Sequence, residues 1–398
     1  MPPKSLSPVT RRLSPPLTTT RILVIRLDRL GDVILSTPVL QALRQRFPHA
    51  FIAMMVRPAC RDVVEGNPYL NETILYEKEG AHRSAMGTIR FARQLRRYDF
   101  DTALVLHPSN RSHWIPWLAR IPIRIGYDRK CGWLLTHRVP HRKQEGSQHE
   151  ALYTLELLEV FGIIPPPASV CQRQTAPSLT ALLEPASGGQ AGGGITPMRP
   201  TPFVPIHAAA ARRVEALLAE AAVRPTDQLV AIHPSASCVS KRWMPERFAQ
   251  VADRLIAEHG VRICLVAGEA DAAYATRVAQ TMRQPALNVA GRLRVGELAA
   301  LLRRARLLIS NDSGPVHVAA AVGTPVVDIF GRNQQGLSPQ RWGPLGEGHV
   351  ILHKEVGCVT CLAHNCDIEF LCLTSLSAEE VYQAAVSVLQ RATIPSEN

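Results

Sequence analysis

The chain has 398 residues, a formal net charge of +12, 46% hydrophobic residues and a mean hydropathy near zero. Single cores stop growing at about 250 to 300 residues, so two domains are expected, and no apolar run nears the roughly 18 residues a membrane-crossing helix needs, which excludes a transmembrane protein. The charge calls for an anionic partner: nucleic acid, a phosphorylated small molecule or an acidic membrane surface. Nucleic acid is set aside, because aromatics are 5% and neither a recognition-helix pattern nor an aromatic RNA-binding signature is present.

Residues 1–20, MPPKSLSPVTRRLSPPLTTT, are rich in Pro, Ser and Thr and lack the apolar segment of a secretory signal, which predicts a disordered tail on a cytoplasmic protein. Strand-length apolar runs at 22–27, 51–57, 72–76 and 102–107 then alternate with helical periodicity, for example at 84–97. This βαβ rhythm predicts a parallel sheet covered on both faces, in a first domain spanning 21–163. Between 164 and 206, Pro and Gly concentrate in GIIPPPASV and EPASGGQAGGGITPMRPTPFVP, the composition of a linker or insertion.

Alternation resumes in a second domain, 207–398, with strands at 229–234, 261–267, 306–310 and 325–330 and helices at 246–259, 271–282, 295–305 and 315–322. A last amphipathic helix at 377–389 has Ser377 as N-cap and Glu380 closing a capping box. The expected fold class is therefore α/β, with two Rossmann-like halves. Cys60, Cys131, Cys171, Cys238 and Cys264 show no paired spacing, which argues against a disulfide scaffold.

Ligands of open α/β sheets sit beyond the carboxyl ends of strands. The first such end carries Gly31, which permits positive φ or close approach of a substrate, and Asp32. Asp32 is either a first-turn acid on a helix dipole, contributing about 0.3 to 1 kcal/mol, or a carboxylate base facing a cleft. Thr37 and Pro38 begin a second helix or kink one begun at Gly31.

In the second half, the strand LLIS delivers Asn311, Asp312, Ser313 and Gly314 to a helix of small residues, which is either an anion site at its first amides or a tightly packed crossover whose glycine eases packing. Asp312 would repel a diphosphate there unless it caps amides, binds a sugar hydroxyl or stands aside. Ser235, Ser237, Ser240, Lys241 and Arg242 add hydroxyls and cations at another strand end. Glu269 is placed to hold ribose hydroxyls, with Asp271 as competitor. His317 lies one turn into the helix as a donor or phosphate contact.

These residues resemble glycosyltransferase family 9, the ADP-heptose:lipopolysaccharide heptosyltransferases. The resemblance rests on RLGDVILSTPVLQALRQRFP, IHPSASCVSKRWMPERF, SNDSGPVHVAAAVGTPVVDIFG and the Cys-rich CVTCLAHNCDIEFLCLTSLSAEEV, and spans 21–390. It implies a GT-B fold, two Rossmann-like domains with parallel sheets facing across a cleft, acceptor on the first and nucleotide sugar on the second. It implies an inverting, metal-independent transfer of heptose from ADP-heptose to the lipopolysaccharide inner core, with no cofactor and Asp32 as general base. It places the phosphate-binding lysine on Lys241, the donor-helix acid and glycine on Asp312 and Gly314, and a family basic position on Arg26. That arginine either attracts an anionic acceptor or is a surface cation.

Competing functions are transfer with another nucleotide sugar or acceptor, and non-catalytic binding of anions; a dinucleotide oxidoreductase would need the GxGxxG that the first strand lacks. The chain departs from the family pattern in its linker, its tail and the absence of Thr-Asp-Pro after Gly331. Cys358, Cys361, Cys366 and Cys372, spaced C-x2-C-x4-C-x5-C, are either a metal or cluster site or free thiols packing a loop. With a glycolipid acceptor and no anchor, peripheral attachment to the inner membrane through basic surface is expected.

Overall fold

Unbroken β-branched and aliphatic runs form the strands, because a parallel sheet buries both faces. In the first half these are β1 (Arg21–Ile25), β2 (Phe51–Val56), β3 (Glu72–Leu75), β4 (Thr102–Val105), β5 (Ile123–Tyr127) and β6 (His137–Val139). They make one parallel sheet in the order β3-β2-β1-β4-β5-β6. The second half repeats the plan with β7 (Leu229–His233), β8 (Arg262–Leu265), β9 (Leu287–Asn288), β10 (Leu307–Asn311), β11 (Val326–Phe330) and β12 (Val350–His353), ordered β12-β11-β10-β7-β8-β9. The computed structural model describes residues 17–167, 200–334, 336–358, 361 and 363–391. Among them no helix is long and apolar enough to cross a membrane.

The helices are α1 (Leu30–Ile34), α2 (Thr37–Arg46), α3 (Ala85–Leu95), α4 (Asn110–Leu118), α5 (Glu150–Glu156), α6 (Ala208–Glu220), α7 (Pro245–His259), α8 (Ala272–Thr281), α9 (Val295–Arg304), α10 (Gly314–Ala321), α11 (Pro339–Trp342), α12 (Leu371–Thr374) and α13 (Ala378–Arg391). The capping box of α13 forms as expected: the Ser377 amide donates to Glu380 Oε2 at 3.0 Å, and Ser377 Oγ accepts from the Glu380 amide at 3.2 Å. Pro38 starts a second helix instead of kinking the first, with Ser36 and not Thr37 as the N-cap residue. Thr37 Oγ1 donates to Ile34 O at 2.7 Å and accepts from the Phe203 amide at 2.9 Å.

The halves meet where α1 packs on α10, and one apolar cluster runs through both, with Val33 and Ile34 on one side and Val316, Val318 and Ala319 on the other. Gly31 is helical, so its value is close approach rather than positive φ. The group that approaches is His317, whose Cδ2 would lie 2.6 Å from a Cβ added at Gly31. Gly31→Ala should therefore lower stability by about 1 to 3 kcal/mol through overpacking, measured by chemical denaturation; an unchanged midpoint would contradict this contact.

The expected domain bounds need adjustment at two places. Residues 17–20 are tied to the first sheet rather than trailing as tail, since the Thr20 amide donates to Asp101 Oδ2 at 2.7 Å and the Leu17 amide to Val160 O at 3.4 Å. Val204, assigned to the linker, is 3% exposed within the shared cluster. Residues 1–16, and 168–199 with Cys171, lie outside the described residues.

Candidate active site

The loop after β1 puts three charged side chains on one wall. Arg26 is 1% exposed and is not the surface cation its position allowed. Its Nε donates to Asp28 Oδ1 at 2.8 Å, and its Nη2 donates to Asp32 Oδ1 at 2.6 Å and to Glu150 Oε1 at 3.2 Å. Burial opposes the guanidinium charge, yet Asp28, Asp32 and Glu150 outweigh it and hold the group more firmly protonated than usual. Asp32 stands in the first turn of α1 with 16% of its side chain exposed.

Two neighbouring carboxylates are driven in opposite directions, the pattern that separates proton acceptors from fixed charges. Burial pushes Asp32 above the usual carboxylate range; Arg26 opposes this, while Asp28 and Glu150 add to it. Asp28 is held below that range: burial raises it, but Arg26 and the His107 hydrogen bond prevail, with His107 Nδ1 3.0 Å from Asp28 Oδ2. The upward shift of Asp32 is in the direction that suits a proton acceptor.

The facing wall belongs to the second half. Lys241 Nζ pairs with Asp312 Oδ2 and lies 3.4 Å from Asp312 O, so the acid in the anion site is neutralised by the lysine. Behind them Asp328 is fully buried, and burial followed by the Asp312 charge pushes its carboxyl far up. Ser313, the N-cap residue of α10, makes no side-chain cap, and its Oγ sits 3.1 Å from His233 Nδ1. The uncapped first turn of α10 leaves backbone donors for an anion. Burial lowers His317 to about 3 and His233 to about 4, so both imidazoles are neutral at physiological pH.

A cavity of about 370 Å³ lies between the walls, within the roughly 300 to 1,000 Å³ of small-molecule sites. Residues following β1, β7, β8, β10 and β11 line it, among them Asp32, Lys241, Asp271, Gly314, His317 and Arg332. Asp32 also lines a second cavity with Arg129, Lys130, Lys143 and Arg341. A third, sharing Asp28 and Arg29, carries Arg57, Lys78, Arg111 and Lys130. One carboxylate thus borders both an anion-ready pocket and a cationic basin.

Residues 88–371 match the sequence profile of Glycosyltransferase family 9 (heptosyltransferase). The chain belongs to glycosyltransferase family 9. Lipopolysaccharide heptosyltransferase 3 of Escherichia coli strain K12 is 27% identical over 365 residues, covering 90% of this chain and 95% of the relative. Lipooligosaccharide heptosyltransferase 2 of Haemophilus ducreyi is 26% identical over 341 residues, covering 83% and 88%. Among solved structures, the family 9 glycosyl transferase of Veillonella parvula superposes with a TM-score of 0.77 at 25% identity over 94% of this chain and 98% of that one. Escherichia coli ADP-heptose lps heptosyltransferase II gives 0.71 at 21% identity over 94% and 100%. This enzyme is a glycosyltransferase with the GT-B fold.

In this family 9 enzyme, Asp32, Lys241, Asp312, Ser313, Gly314 and His317 come together around one cavity. Glu269 does not join them: it is exposed at the start of a short turn, whereas its competitor Asp271 lines the cavity and lies 3.5 Å from Arg242 Nη2. Among the described residues no group of three or more His, Cys, Asp or Glu is placed to hold a metal ion. Cys372 Sγ donates to Gly331 O at 2.7 Å, and burial and the nearby Cys361 and Cys366 push its thiol up to about 11.

The sequence reading missed Glu150. Its carboxylate, 2% exposed, pairs with Lys143, with Arg26 and, at 2.8 Å, with Arg341 Nη2 from the second half. Burial pushes this carboxyl up, and the three cations more than reverse that, holding it well below the usual range.

Proposed function

We propose that this enzyme transfers a heptose from ADP-heptose to the inner core of lipopolysaccharide with inversion, Asp32 acting as general base. What carries the reading is that Asp32 borders both cavities, one beside Lys241 and the first turn of α10, the other lined by cations. The relatives are heptosyltransferases of lipopolysaccharide and lipooligosaccharide, which supports donor and acceptor class.

The donor lies with its diphosphate against Lys241 and the Ser313 and Gly314 amides, and its ribose near Asp271 in place of Glu269. The acceptor hydroxyl attacks the anomeric carbon from the Asp32 side. The new carbon–oxygen bond forms as the bond to the diphosphate breaks, the hydroxyl proton passes to Asp32, and ADP departs with the bonding pair. Lys241 and the backbone donors meet the charge that develops on the leaving group; no metal ion or cofactor enters the step. Asp312 fixes the lysine, and neutral His317 offers a hydrogen bond rather than a charge. Arg26 orients Asp32 rather than touching the acceptor. Arg29, Arg57, Lys78, Arg111 and Lys130 face the anionic acceptor, on the cytoplasmic side of the inner membrane with the protein attached peripherally.

The test is a panel of nucleotide sugars offered with a lipopolysaccharide core acceptor, products identified by mass. Consumption of ADP-heptose with a gain of one heptosyl unit, unaffected by a chelator, is the expected outcome. Preferential use of another nucleotide sugar, or no product, would overturn the assignment.

A further inference from the structure

Three tryptophans lie exposed on the first half: Trp114 at 36%, Trp117 at 44% and Trp133 at 64%. They form one cluster, with Trp114 edge-on to Trp117 at 5.3 Å and to Trp133 at 6.0 Å between ring centres. Met86, on the neighbouring α3, is 61% exposed. A cluster of large apolar rings left in water marks an interaction surface, and tryptophan favours the boundary between water and lipid.

The charge around the cluster selects the partner. Residues 80–127 contain eight arginines against Asp99 and Asp101, and from Thr102 to Tyr127 there is no acidic residue. Arg129 and Lys130 stand exposed just before Trp133, and Arg120 just after α4. The acid nearest in sequence, Asp128, is engaged by Arg138 at 3.7 Å. Exposed indoles on a stretch rich in arginine and poor in acids match an anionic bilayer surface, which attracts such cations.

The same helix connects this surface to the site. Asn110 and Arg111, the first residues of α4, line the cationic cavity beside Asp28, and Trp114 and Trp117 follow one and two turns along. We propose that the Trp114–Trp117–Trp133 surface seats the enzyme on anionic lipid, so that a lipid-anchored acceptor presents its sugars to the cavity at the start of α4. The proposal rests on the acceptor reading above and names the surface that delivers that acceptor.

Two measurements test it. The full chain is sedimented with phosphatidylglycerol-containing vesicles and with pure phosphatidylcholine vesicles, as wild type and as the triple variant Trp114→Ser, Trp117→Ser, Trp133→Ser. The wild type should sediment with the anionic vesicles and the variant about tenfold more weakly or not at all, while ADP binding and transfer to a deacylated, water-soluble acceptor stay unchanged. In parallel, wild-type tryptophan fluorescence should be quenched by lipids spin-labelled near the headgroup, a readout independent of the variant's folding. Equal sedimentation of both proteins, absence of quenching, or a change in oligomeric state of the variant by light scattering would overturn the proposal. Failure to transfer heptose with intact vesicle binding would refute the acceptor reading alone.

Discussion

Asp32→Asn should reduce heptosyl transfer by about 10² to 10⁴-fold, the range a positioned general base contributes. The amide keeps the size of the carboxylate and still accepts from Arg26, so the loop after β1 and the Arg26–Asp28 pair remain in place. What it lacks is a basic site for the acceptor proton. The donor contacts proposed above lie on the opposite wall, on Lys241 and the first turn of α10, so ADP affinity measured by calorimetry should be unchanged. A loss in kcat with intact ADP binding separates a missing base from a damaged pocket. Transfer within a few fold of wild type would remove Asp32 from the chemistry.

Glu150→Gln should destabilise the fold by about 3 to 5 kcal/mol, because it leaves buried cations without their counter-charge. The carboxylate is 2% exposed and faces Lys143, Arg26 and Arg341 together; an amide replaces one negative charge among three positive ones. Arg341 comes from α11 in the second half, and His149 Nε2 lies 2.9 Å from Gly343 O, so the same segment also ties the halves. The pH sign follows from the depressed carboxyl: its stabilisation is present above its unfolded pKa and is lost as pH falls toward the lower folded value. Denaturant titration at neutral pH checks the effect. A change below about 1 kcal/mol, the scale of an exposed ion pair, would show that the cluster contributes no more than surface charge.

Eight of the twelve strands were legible because each is a local run: Ile22 to Ile25, Leu229 to His233 and Val326 to Phe330 announce themselves by composition. Asp32, Asp312 and Gly314 were legible for the same reason, each following such a run within a few residues. β5, β6 and β12 carry weaker signals: Arg124 interrupts the apolar run of β5, and β6 has three residues, one of them Arg138. In α4 the internal Pro116 and tryptophans on an exposed face obscure helical periodicity.

Glu150 was beyond local reading altogether. Its partners Arg26 and Arg341 lie 124 and 191 residues away, and nothing in the spacing of the chain marks them as neighbours. Arg26 shows the same limit from the other side, since an arginine ending a strand reads as solvated until the acids that enclose it are placed. Glu269 and Asp271 are acids two residues apart, and spacing alone does not show that the turn ahead of α8 exposes one and turns the other toward the cavity.

The pH dependence of kcat/KM for wild-type transfer, with activity regained on return to neutral pH as the control for folding, bears most directly on the role of Asp32. Burial raises this carboxyl above the ordinary 3.8, so the rate should fall on the acid side with an apparent pKa above that value, as the carboxylate takes up a proton and ceases to act as base. A rate that stays level down through pH 3.8 would contradict a proton-accepting Asp32.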